Sequence, residues 1–463
     1  MARGGQAKGF WKTKIAFDSK IRLFEAPPEL VRAVQARLTI ENPVFLENEK
    51  MGRWNGETPE LLRFYKMEGG ELILPRGFIR QLIGLCRKHD VSFQIEDHRR
   101  TLPEVDFAFQ GNLKPYQAEA VEIMAAKDFG TLSAPTGSGK TVIALNLIAR
   151  RRQPALIIVH TKELLNQWKA RIETFLGIPS ADIGVIGNGK RYVGEKISVA
   201  LVQTLYKCAD EISSRIGYLI VDECHRTPSR TFTEAVSAFD AKYMTGLSAT
   251  PWRRDKLSRL ILWYVGDVTH EIEREGLIKS GDVLEADVIT RETDFYPESD
   301  PVDEYSQMLS ELTQDDERNR LIADDIAKAA GNGAGICLVL SDRKEHCREL
   351  QGLLNDVHGV RAEVLTGDIG NVTRQDIVEK LNAGQIKVLI ATGQLIGEGF
   401  DCRELQTLFL TTPIKFSGRV LQYLGRVLRP APGKERAVVY DYVDKHVGVL
   451  VASAKSRQRV FGR

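Results

Sequence analysis

Residues 134–141, which read Ala-Pro-Thr-Gly-Ser-Gly-Lys-Thr, constrain the fold more than any other segment of the chain. They follow a short apolar run and precede a helical pattern. Glycines let such a loop wrap closely around phosphate oxygens, which the backbone N–H groups of the loop and of the helix N-terminus bind. We expect Lys140 to neutralise the terminal phosphates of a nucleotide and Thr141 to offer its hydroxyl to Mg²⁺. The segment therefore predicts a nucleotide site in an α/β fold.

This loop departs at one position from the usual GxxxxGK[ST] spacing, because Ala134 stands where the first glycine is expected. The alternative interpretation is a glycine-rich turn with a surface lysine. The strand before the loop and the helix after it favour the phosphate site. The residues that would contact the nucleotide are Pro135, Thr136, Gly137, Ser138, Gly139, Lys140 and Thr141.

A second apolar run, Tyr218 to Val221, ends in the sequence Asp222–Glu223–Cys224–His225. An enzyme with a phosphate loop needs one carboxylate for the Mg²⁺ shell and another to polarise the attacking water. Asp222 and Glu223 suit these two roles. Adjacent acids are more often the solvated start of a helix, so only the phosphate loop upstream favours catalysis. We favour a sensor role for His225 over a purely local hydrogen bond.

Two arginines near the C-terminus, Arg426 and Arg429, are three residues apart and so lie on one face of a helix. A guanidinium inserted from a second domain can neutralise the charge that develops on a transferring phosphate. By themselves, two arginines at this spacing indicate a surface basic pair. The phosphate loop favours the catalytic interpretation, with Gln422 on the same helix.

Composition excludes several classes of protein. The chain has 463 residues, of which 43% are hydrophobic and 27% charged, so about three domains of ordinary size are expected. No apolar run is long enough for a membrane span, and the N-terminal residues lack the apolar core of a secretion signal. Six widely spaced cysteines fit neither a zinc site nor a disulfide framework. We therefore expect a cytoplasmic protein with no membrane partner.

From about residue 112 the chain repeats one pattern, a short β-branched apolar run followed by a turn and a helical segment, which is typical of parallel βαβ units. The pattern stops over Glu292 to Glu317, a stretch with ten acidic residues and no Lys or Arg, which suggests a solvated linker. The fold class expected is α/β, with two parallel-sheet domains after a small α+β domain. The expected domains are 1–110, 111–285, a linker over 286–330, and 331–463.

Taken together, these segments resemble the superfamily 2 DExH-type helicases and translocases, which contain two RecA-like domains. The resemblance covers residues 112–445, and it is the order of the segments that makes it specific. It identifies Asp222 to His225 as the DExH box and Ser248–Ala249–Thr250 as the third motif. It implies ATP and Mg²⁺ as cofactors, and it makes Lys140, Glu223 and the helix from Gln422 to Arg429 part of an ATP hydrolase.

The same resemblance implies further contacts. Tyr116 and Gln117 would attend the adenine, and Gly399 and Asp401 would approach the nucleotide from the second domain. Contacts with a nucleic-acid backbone would come from Thr161, Lys162, Gln203, Thr204, Thr366, Gly367 and Thr392. Hydroxyl and amide groups suit phosphate contacts, which carry no sequence information.

Within the superfamily the chain is most similar to XPB-like and phage UvsW-like DNA helicases and to restriction-enzyme motor subunits. Motif III continues as Pro251–Trp252–Arg253–Arg254–Asp255, and Arg254 replaces the Glu of the XPB Arg-Glu-Asp triplet. The leading domain resembles one that recognises DNA structure, a role that Arg99–Arg100 and the aromatic residues Trp11, Trp54 and Phe64–Tyr65 would support. These aromatic side chains are more often core residues than stacking platforms.

The resemblance implies an ATP-dependent DNA helicase or translocase that acts on single-stranded or branched DNA without sequence preference, in the 3′–5′ direction. Two alternatives stay open. One is a motor subunit of a restriction or defence assembly with a separate nuclease subunit, and the other is a nucleic-acid-stimulated ATPase clamp that does not unwind. The DExH spelling and the short segments between motifs favour DNA over RNA.

Overall fold

The computed structural model describes residues 13–226, 230–249, 258–332, 335–393, 402, 404–413, 423–425, 427–431, 434 and 436–461. The chain divides into two compact units. The first contains Met1–Ala134 and Lys140–Ile272, and the second contains Pro135–Gly139 and Glu273–Arg463. None of the described helices is both long and apolar enough to cross a lipid bilayer.

The first unit begins with a small α+β domain. Its elements are β1 (Thr13–Phe17), β2 (Lys20–Phe24), α1 (Pro28–Arg37), β3 (Thr39–Glu41), α2 (Pro43–Lys50), β4 (Leu61–Arg63), β5 (Lys66–Glu68), β6 (Glu71–Pro75), α3 (Ile79–Lys88) and β7 (Phe93–Asp97). Five of these strands form a sheet in the order β5-β6-β2-β1-β7, and β3 pairs with β4 separately. Local sequence fixes the helix starts: Asn42 accepts a hydrogen bond from the Val44 N–H and Pro43 occupies the first turn of α2.

The parallel-sheet domain of the first unit follows. Its elements are α4 (Pro115–Ala125), β8 (Phe129–Ser133), α5 (Lys140–Arg151), β9 (Ala155–Val159), α6 (Lys162–Leu176), β10 (Gly184–Gly187), β11 (Lys190–Tyr192), β12 (Ile197–Leu201), α7 (Val202–Leu205), α8 (Ala209–Ile212), β13 (Tyr218–Val221), α9 (Arg230–Ser237), β14 (Tyr243–Ser248), α10 (Ser258–Val265) and β15 (Val268–Glu271). The sheet order is β11-β10-β12-β9-β13-β14-β8-β15, and every pair except β10 with β11 is parallel.

The leading domain shares its core with this sheet domain. Leu260 and Trp263 of α10 belong to the same buried cluster as the leading domain's apolar side chains. Arg76 is 2% exposed and donates to the carbonyl oxygens of Ala241 at 2.8 Å and of Lys242 at 3.2 Å. Gly77 lies against the backbone of α10, where a Cβ would meet Trp263 O at 2.7 Å. The leading domain is therefore packed tightly against the sheet domain of the first unit.

These contacts correct the expectation that Arg99–Arg100 contributes to nucleic-acid binding. The Arg99 guanidinium lies 4.5 Å from the centre of the Phe17 ring and donates to Asp97 and to Asp128 at 2.7 and 2.9 Å. Arg100 pairs with Asp240. Both arginines thus form ion pairs within the protein. The Arg99–Asp128 and Arg100–Asp240 pairs join the leading domain to the sheet domain. Trp11 lies outside the described residues, as does the whole basic N-terminal segment before residue 13.

The aromatic side chains of the leading domain divide into two kinds. Phe64 packs against the ring of Trp263, with centroids 5.4 Å apart, and is therefore part of the core. Trp54 is 91% exposed. Among the described members of this set, Phe64 and Tyr65 pack against the core, as expected, and Trp54 is exposed.

The second unit contains α11 (Arg274–Lys279), β16 (Ala286–Thr293), α12 (Tyr305–Gln314), α13 (Asp316–Gly331), β17 (Ile336–Ser341), α14 (Lys344–Gly352), β18 (Ala362–Leu365), α15 (Asn371–Asn382), β19 (Val388–Thr392), β20 (Leu405–Leu410), β21 (Ala437–Asp444) and α16 (Gly448–Phe461). Its six strands are all parallel, in the order β16-β21-β20-β17-β19-β18. The two parallel-sheet domains and the small leading domain confirm the fold class expected from the sequence.

The acidic stretch is not the solvated linker that its composition suggests. β16 pairs with β21 along eight residues, and α12 and α13 bury Met308 and Ile322 in the cores of the second unit. The acidic side chains have local partners: Asp315 caps α13 by accepting from the Arg318 N–H at 2.8 Å, and Glu311 accepts from the Glu298 N–H. Residues 286–330 are thus an integral part of the second unit.

Candidate active site

The predicted functional residues of each sheet follow the carboxyl ends of its parallel strands. The phosphate loop begins directly after β8, Asp222 follows β13, and Ser248 ends β14. These three strands are adjacent in the order β13-β14-β8. Because parallel strands end at one edge of a sheet, these groups share that edge, where open α/β sheets bind ligands.

The phosphate loop has the backbone that close approach to a ligand requires. Gly137 and Gly139 have φ values of +93° and +80°, which side chains with a Cβ rarely adopt. The buried Ser138 hydroxyl donates to Pro135 O at 2.8 Å and fixes the turn. Lys140 opens α5, and its Nζ donates to Ala134 O at 2.8 Å across the loop. The loop thus leads directly into a helix N-terminus, as phosphate binding requires.

The structure also explains why Ala134 replaces the first glycine. Ala134 continues the line of β8, is 1% exposed, and donates its N–H to Ser248 O at 2.9 Å. Its φ is not positive, so this position does not need glycine. The departure from the usual spacing is compatible with the loop.

Asp222 is held by both of its carboxylate oxygens. Oδ1 accepts from the Glu223 N–H at 2.9 Å, and Oδ2 accepts from the indole Nε1–H of Trp168 at 2.8 Å. The side chain is buried, and its backbone N–H donates to Ile158 O at the end of β9. Because each oxygen accepts its own hydrogen bond, the carboxylate has little freedom to rotate.

Burial and the neighbouring Glu223 carboxylate raise the pKa of Asp222, while the Trp168 hydrogen bond and the Lys140 ammonium oppose this rise. Two acids side by side against one lysine make a site that favours a further cation. Within the described residues no cluster of three or more His, Cys, Asp or Glu side chains is arranged to hold a metal ion. Asp222 and Glu223 carry the carboxylate oxygens that Mg²⁺ prefers, so these two residues fit the cation that the sequence predicts here.

Glu223 has a left-handed backbone, with φ of +48°. Such strain in a residue other than glycine is typical of functional sites. His225 Nδ1 lies 3.2 Å from a Glu223 carboxylate oxygen and 3.1 Å from Ser248 Oγ. His225 and Ser248 are both buried. His225 therefore lies between the second and third motifs, and its sensor role stays a prediction.

Tyr116 and Gln117 lie in the first turn of α4. Gln117 is buried, and its Oε1 accepts from the Lys114 N–H at 3.0 Å. Gln117 Nε2 lies 3.4 Å from the Tyr116 hydroxyl. The glutamine therefore caps the helix, and the adenine contact remains a prediction.

The predicted nucleic-acid contacts of the first unit follow β9 and β12, which are adjacent to each other, and β9 also pairs with β13. Thr161 caps α6, with its hydroxyl accepting from the Leu164 N–H, and Lys162 is exposed at the start of the same helix. Gln203 is exposed and Thr204 half-buried in α7. The strand order thus separates the nucleotide residues from the predicted strand contacts along one edge.

The second unit repeats this arrangement. Thr366 follows β18 and is buried, Gly367 is exposed, and Thr392 ends β19, the neighbour of β18. Thr366 O accepts from the Ile369 N–H in a turn. The predicted strand contacts of the second unit thus share one part of the carboxyl edge of its sheet.

Several predicted residues fall outside the described part of the chain, namely Thr250, Gly399, Asp401, Gln422 and Arg426. Arg429 is described and half-buried. Residues Pro135–Gly139 group with the second unit, and there a Cβ added to Gly137 would lie 3.8 Å from Arg429 Cγ. Within the second unit, the stem of Arg429 therefore lies near Gly137.

Two residues at these sites are absent from the sequence-based expectations. Trp168 contacts Asp222 across 54 positions of sequence, as described above. Lys434 is buried, and its Nζ donates to Arg429 O at 2.9 Å and to Val427 O, which ends the arginine-bearing helix. Burial lowers the pKa of Lys434 to about 8. A lysine just past a helix C-terminus is a recognisable signal for such capping.

Comparisons with known proteins agree with this geometry. Residues 110–253 match the family model described as "Type III restriction enzyme, res subunit", and residues 320–431 match "Helicase conserved C-terminal domain". The DNA 3'-5' translocase XPB2 of Sulfurisphaera tokodaii is 32% identical over 194 residues, which are 41% of this chain and 43% of that protein. A protein of Acanthamoeba polyphaga mimivirus, provisionally named an ATP-dependent RNA helicase, is 26% identical over 370 residues, covering 78% of this chain and 69% of that protein.

Among solved structures, a fragment described as an HsdR subunit of a type I restriction enzyme from Vibrio vulnificus YJ016 has a TM-score of 0.57 at 18% identity. The match covers 94% of this chain and 81% of that one, and it shows the fold alone. The two family models and the DExH carboxylates place the chain among the ATP-hydrolysing superfamily 2 helicases, as a relative of XPB-type translocases and restriction-enzyme motor subunits.

Proposed function

We propose that the protein is a DNA translocase that couples ATP hydrolysis to movement along a strand in the 3′–5′ direction, and that it unwinds or remodels branched DNA. The observation that carries the proposal is the division of the first unit's carboxyl edge. The nucleotide residues follow β13, β14 and β8, and the predicted strand contacts follow β9 and β12. In this proposal, ATP hydrolysis and strand binding use the same sheet.

In this proposal Lys140 neutralises the terminal phosphates and Asp222 with Thr141 would hold Mg²⁺, which supplies charge neutralisation to the transferring phosphoryl group. Glu223 orients and polarises the attacking water. Arg429, whose stem lies beside Gly137, would stabilise the charge that develops on the γ-phosphate. Gln422, Arg426, Gly399 and Asp401 keep the roles that the sequence predicts for them.

DNA is favoured over RNA by the 32% identity to a protein named as a DNA translocase. The predicted strand contacts are exposed or half-buried hydroxyl, amide and lysine groups, except Thr366, which is buried. Such groups bind phosphates, so binding is expected to be independent of base sequence and steeply dependent on salt. The leading domain is packed on the first unit and would move with it, with Trp54 as its exposed aromatic side chain.

The proposal is tested by strand displacement from forks and Holliday junctions that carry a 3′ or a 5′ tail, with RNA forks in parallel. ATP-dependent displacement of the 3′-tailed DNA substrates is expected, and Lys140→Ala abolishes it. Displacement of RNA forks only, or equal displacement from both tails, contradicts the substrate or the direction.

The strand contact itself has a matched pair of variants. Lys162 is exposed at the carboxyl edge of the sheet, and Lys127 is exposed at the amino edge, just before β8. Lys162→Ala should weaken DNA binding and reduce the slope of log K against log salt by about 1. Lys127→Ala should leave both unchanged. Equal effects of the two substitutions would remove the assigned strand path.

A second function, the motor subunit of a restriction assembly, is favoured by the match of residues 110–253 to a restriction-enzyme model. It predicts that the purified chain hydrolyses ATP weakly on any DNA until a nuclease or methyltransferase subunit is added. Affinity purification of the chain from its native cells distinguishes the two: a stoichiometric nuclease partner supports the assembly, and a chain that displaces strands alone supports the autonomous enzyme.

A further inference from the structure

Trp168 lies on α6 and is 2% exposed. Its indole Nε1–H donates to Asp222 Oδ2 at 2.8 Å. A buried indole needs an acceptor for its single N–H. Here that acceptor is one of the two carboxylates at the heart of the candidate active site.

This hydrogen bond completes the restraint on Asp222. The Glu223 N–H holds Oδ1, so rotation of the carboxylate about its Cβ–Cγ bond would break at least one of two bonds. Hydrogen bonds to an ionised acceptor are shorter and stronger than neutral ones.

A second buried indole in the first unit offers a matched comparison. Trp263 is the other large buried indole among the described residues of the first unit, at 1% exposure, and its ring contacts Phe64 in the core shared with the leading domain. Trp263 fills volume there. Trp168 also fills volume. In addition, its N–H contacts the Asp222 carboxylate, whose orientation matters for the proposed reaction.

We propose that Trp168 is a positioning residue for ATP hydrolysis, and that it acts through the hydrogen bond from its indole N–H to Asp222. The inference rests on the proposed function, because it presupposes that Asp222 and Glu223 perform the reaction. Residues that orient such a group from behind typically change activity by about 10- to 100-fold when replaced.

The test compares Trp168→Phe with Trp263→Phe in the full-length protein. Trp168→Phe keeps an aromatic ring and loses the donor, so kcat is expected to fall at least tenfold while KM for ATP and the Kd for a fluorescent ATP analogue stay within twofold. Trp263→Phe is expected to lower the melting temperature and leave kcat unchanged. A Trp168→Phe enzyme with wild-type kcat overturns the proposal, and so does an equal loss of kcat in both variants.

Benzothienylalanine at position 168 replaces the indole N–H by sulfur at nearly constant shape, and it decides the case if Trp168→Phe folds poorly. The same loss of kcat with an unchanged melting temperature supports the hydrogen bond. Unchanged kcat assigns Trp168 to packing and overturns the proposal. Glu223→Gln is measured alongside: if it abolishes hydrolysis while both changes at 168 are silent, the inference fails and the proposed function stands. If Glu223→Gln is itself silent, the proposed function fails and the inference with it.

Discussion

Alanine substitution at two glycines of the leading domain is expected to change the stability of the protein in opposite directions. Gly77 and Gly84 are seven residues apart in the sequence, yet their surroundings differ. A Cβ at Gly77 would meet backbone atoms of α10, namely Leu262 O, Trp263 O at 2.7 Å and, just beyond, Gly266 N at 2.8 Å. A Cβ at Gly84, on the exposed face of α3, would meet nothing within 4 Å.

The magnitude follows from these distances. The Cβ of Gly77→Ala would lie about 0.7 Å inside an ordinary 3.4 Å contact with Trp263 O, and backbone atoms cannot rotate away. Overpacking of this kind costs roughly 1–3 kcal/mol, and three backbone contacts place Gly77→Ala near about 3 kcal/mol. Gly84→Ala removes a glycine from a helix interior and should stabilise the protein by about 0.5–1 kcal/mol.

Differential scanning calorimetry of the full-length chain measures both changes. At roughly 2–4 °C per kcal/mol, Gly77→Ala should lower the melting temperature of the first unit by about 6–12 °C, and Gly84→Ala should raise it by about 1–4 °C. A Gly77→Ala protein that melts within 1 °C of the wild type would refute the close docking of the leading domain. So would two shifts of the same sign.

Three further predictions concern the second unit and the nucleotide site. Burial lowers the pKa of His346 to about 3, against about 6.5 in the unfolded chain, so its contribution to stability is present above pH 6.5 and is lost as the pH falls towards 3. The wild type should therefore lose about 2 kcal/mol more than His346→Gln between pH 7.5 and pH 5 in urea titrations, and parallel losses would contradict this. Asp315→Ala removes the cap of α13 and should cost about 1 kcal/mol by urea unfolding, with the exposed Asp303→Ala as a silent control. Lys140→Ala should weaken binding of a fluorescent ATP analogue at least tenfold, and unchanged affinity would remove Lys140 from the site.

The sequence predicts the two parallel-sheet domains, because buried parallel strands are continuous apolar runs such as Ala155 to Val159. It fails at β16, whose exposed and charged residues hide an edge strand. Arg291 on that strand pairs with Asp325 at 2.9 Å, and Lys445 pairs with Asp294 just after it. In the sequence these charged residues suggest a solvated linker, whereas in the fold they form ion pairs with residues distant in sequence.

The nucleotide site is predictable because its residues lie in short contiguous segments directly after strands. The glycines, the lysine and the acids of these segments indicate phosphate and cation binding without knowledge of the fold. Contacts between distant segments are not predictable in this way. Arg99 is a basic residue in the sequence and a buried ion-pair partner of Asp128 in the fold. In the sequence, Trp168 is an ordinary apolar position of a helix. Only the fold shows that its indole N–H contacts Asp222.

The most direct test of the account is steady-state ATP hydrolysis by the wild type and by Glu223→Gln, without nucleic acid and with single-stranded DNA, duplex, fork, Holliday junction and RNA. DNA, and branched DNA most strongly, should stimulate hydrolysis. The rate should fall about 100-fold or more in the variant, while a fluorescent ATP analogue still binds. Hydrolysis that no polymer stimulates, or that survives in Glu223→Gln, would contradict the claim that this site hydrolyses ATP to drive translocation on DNA.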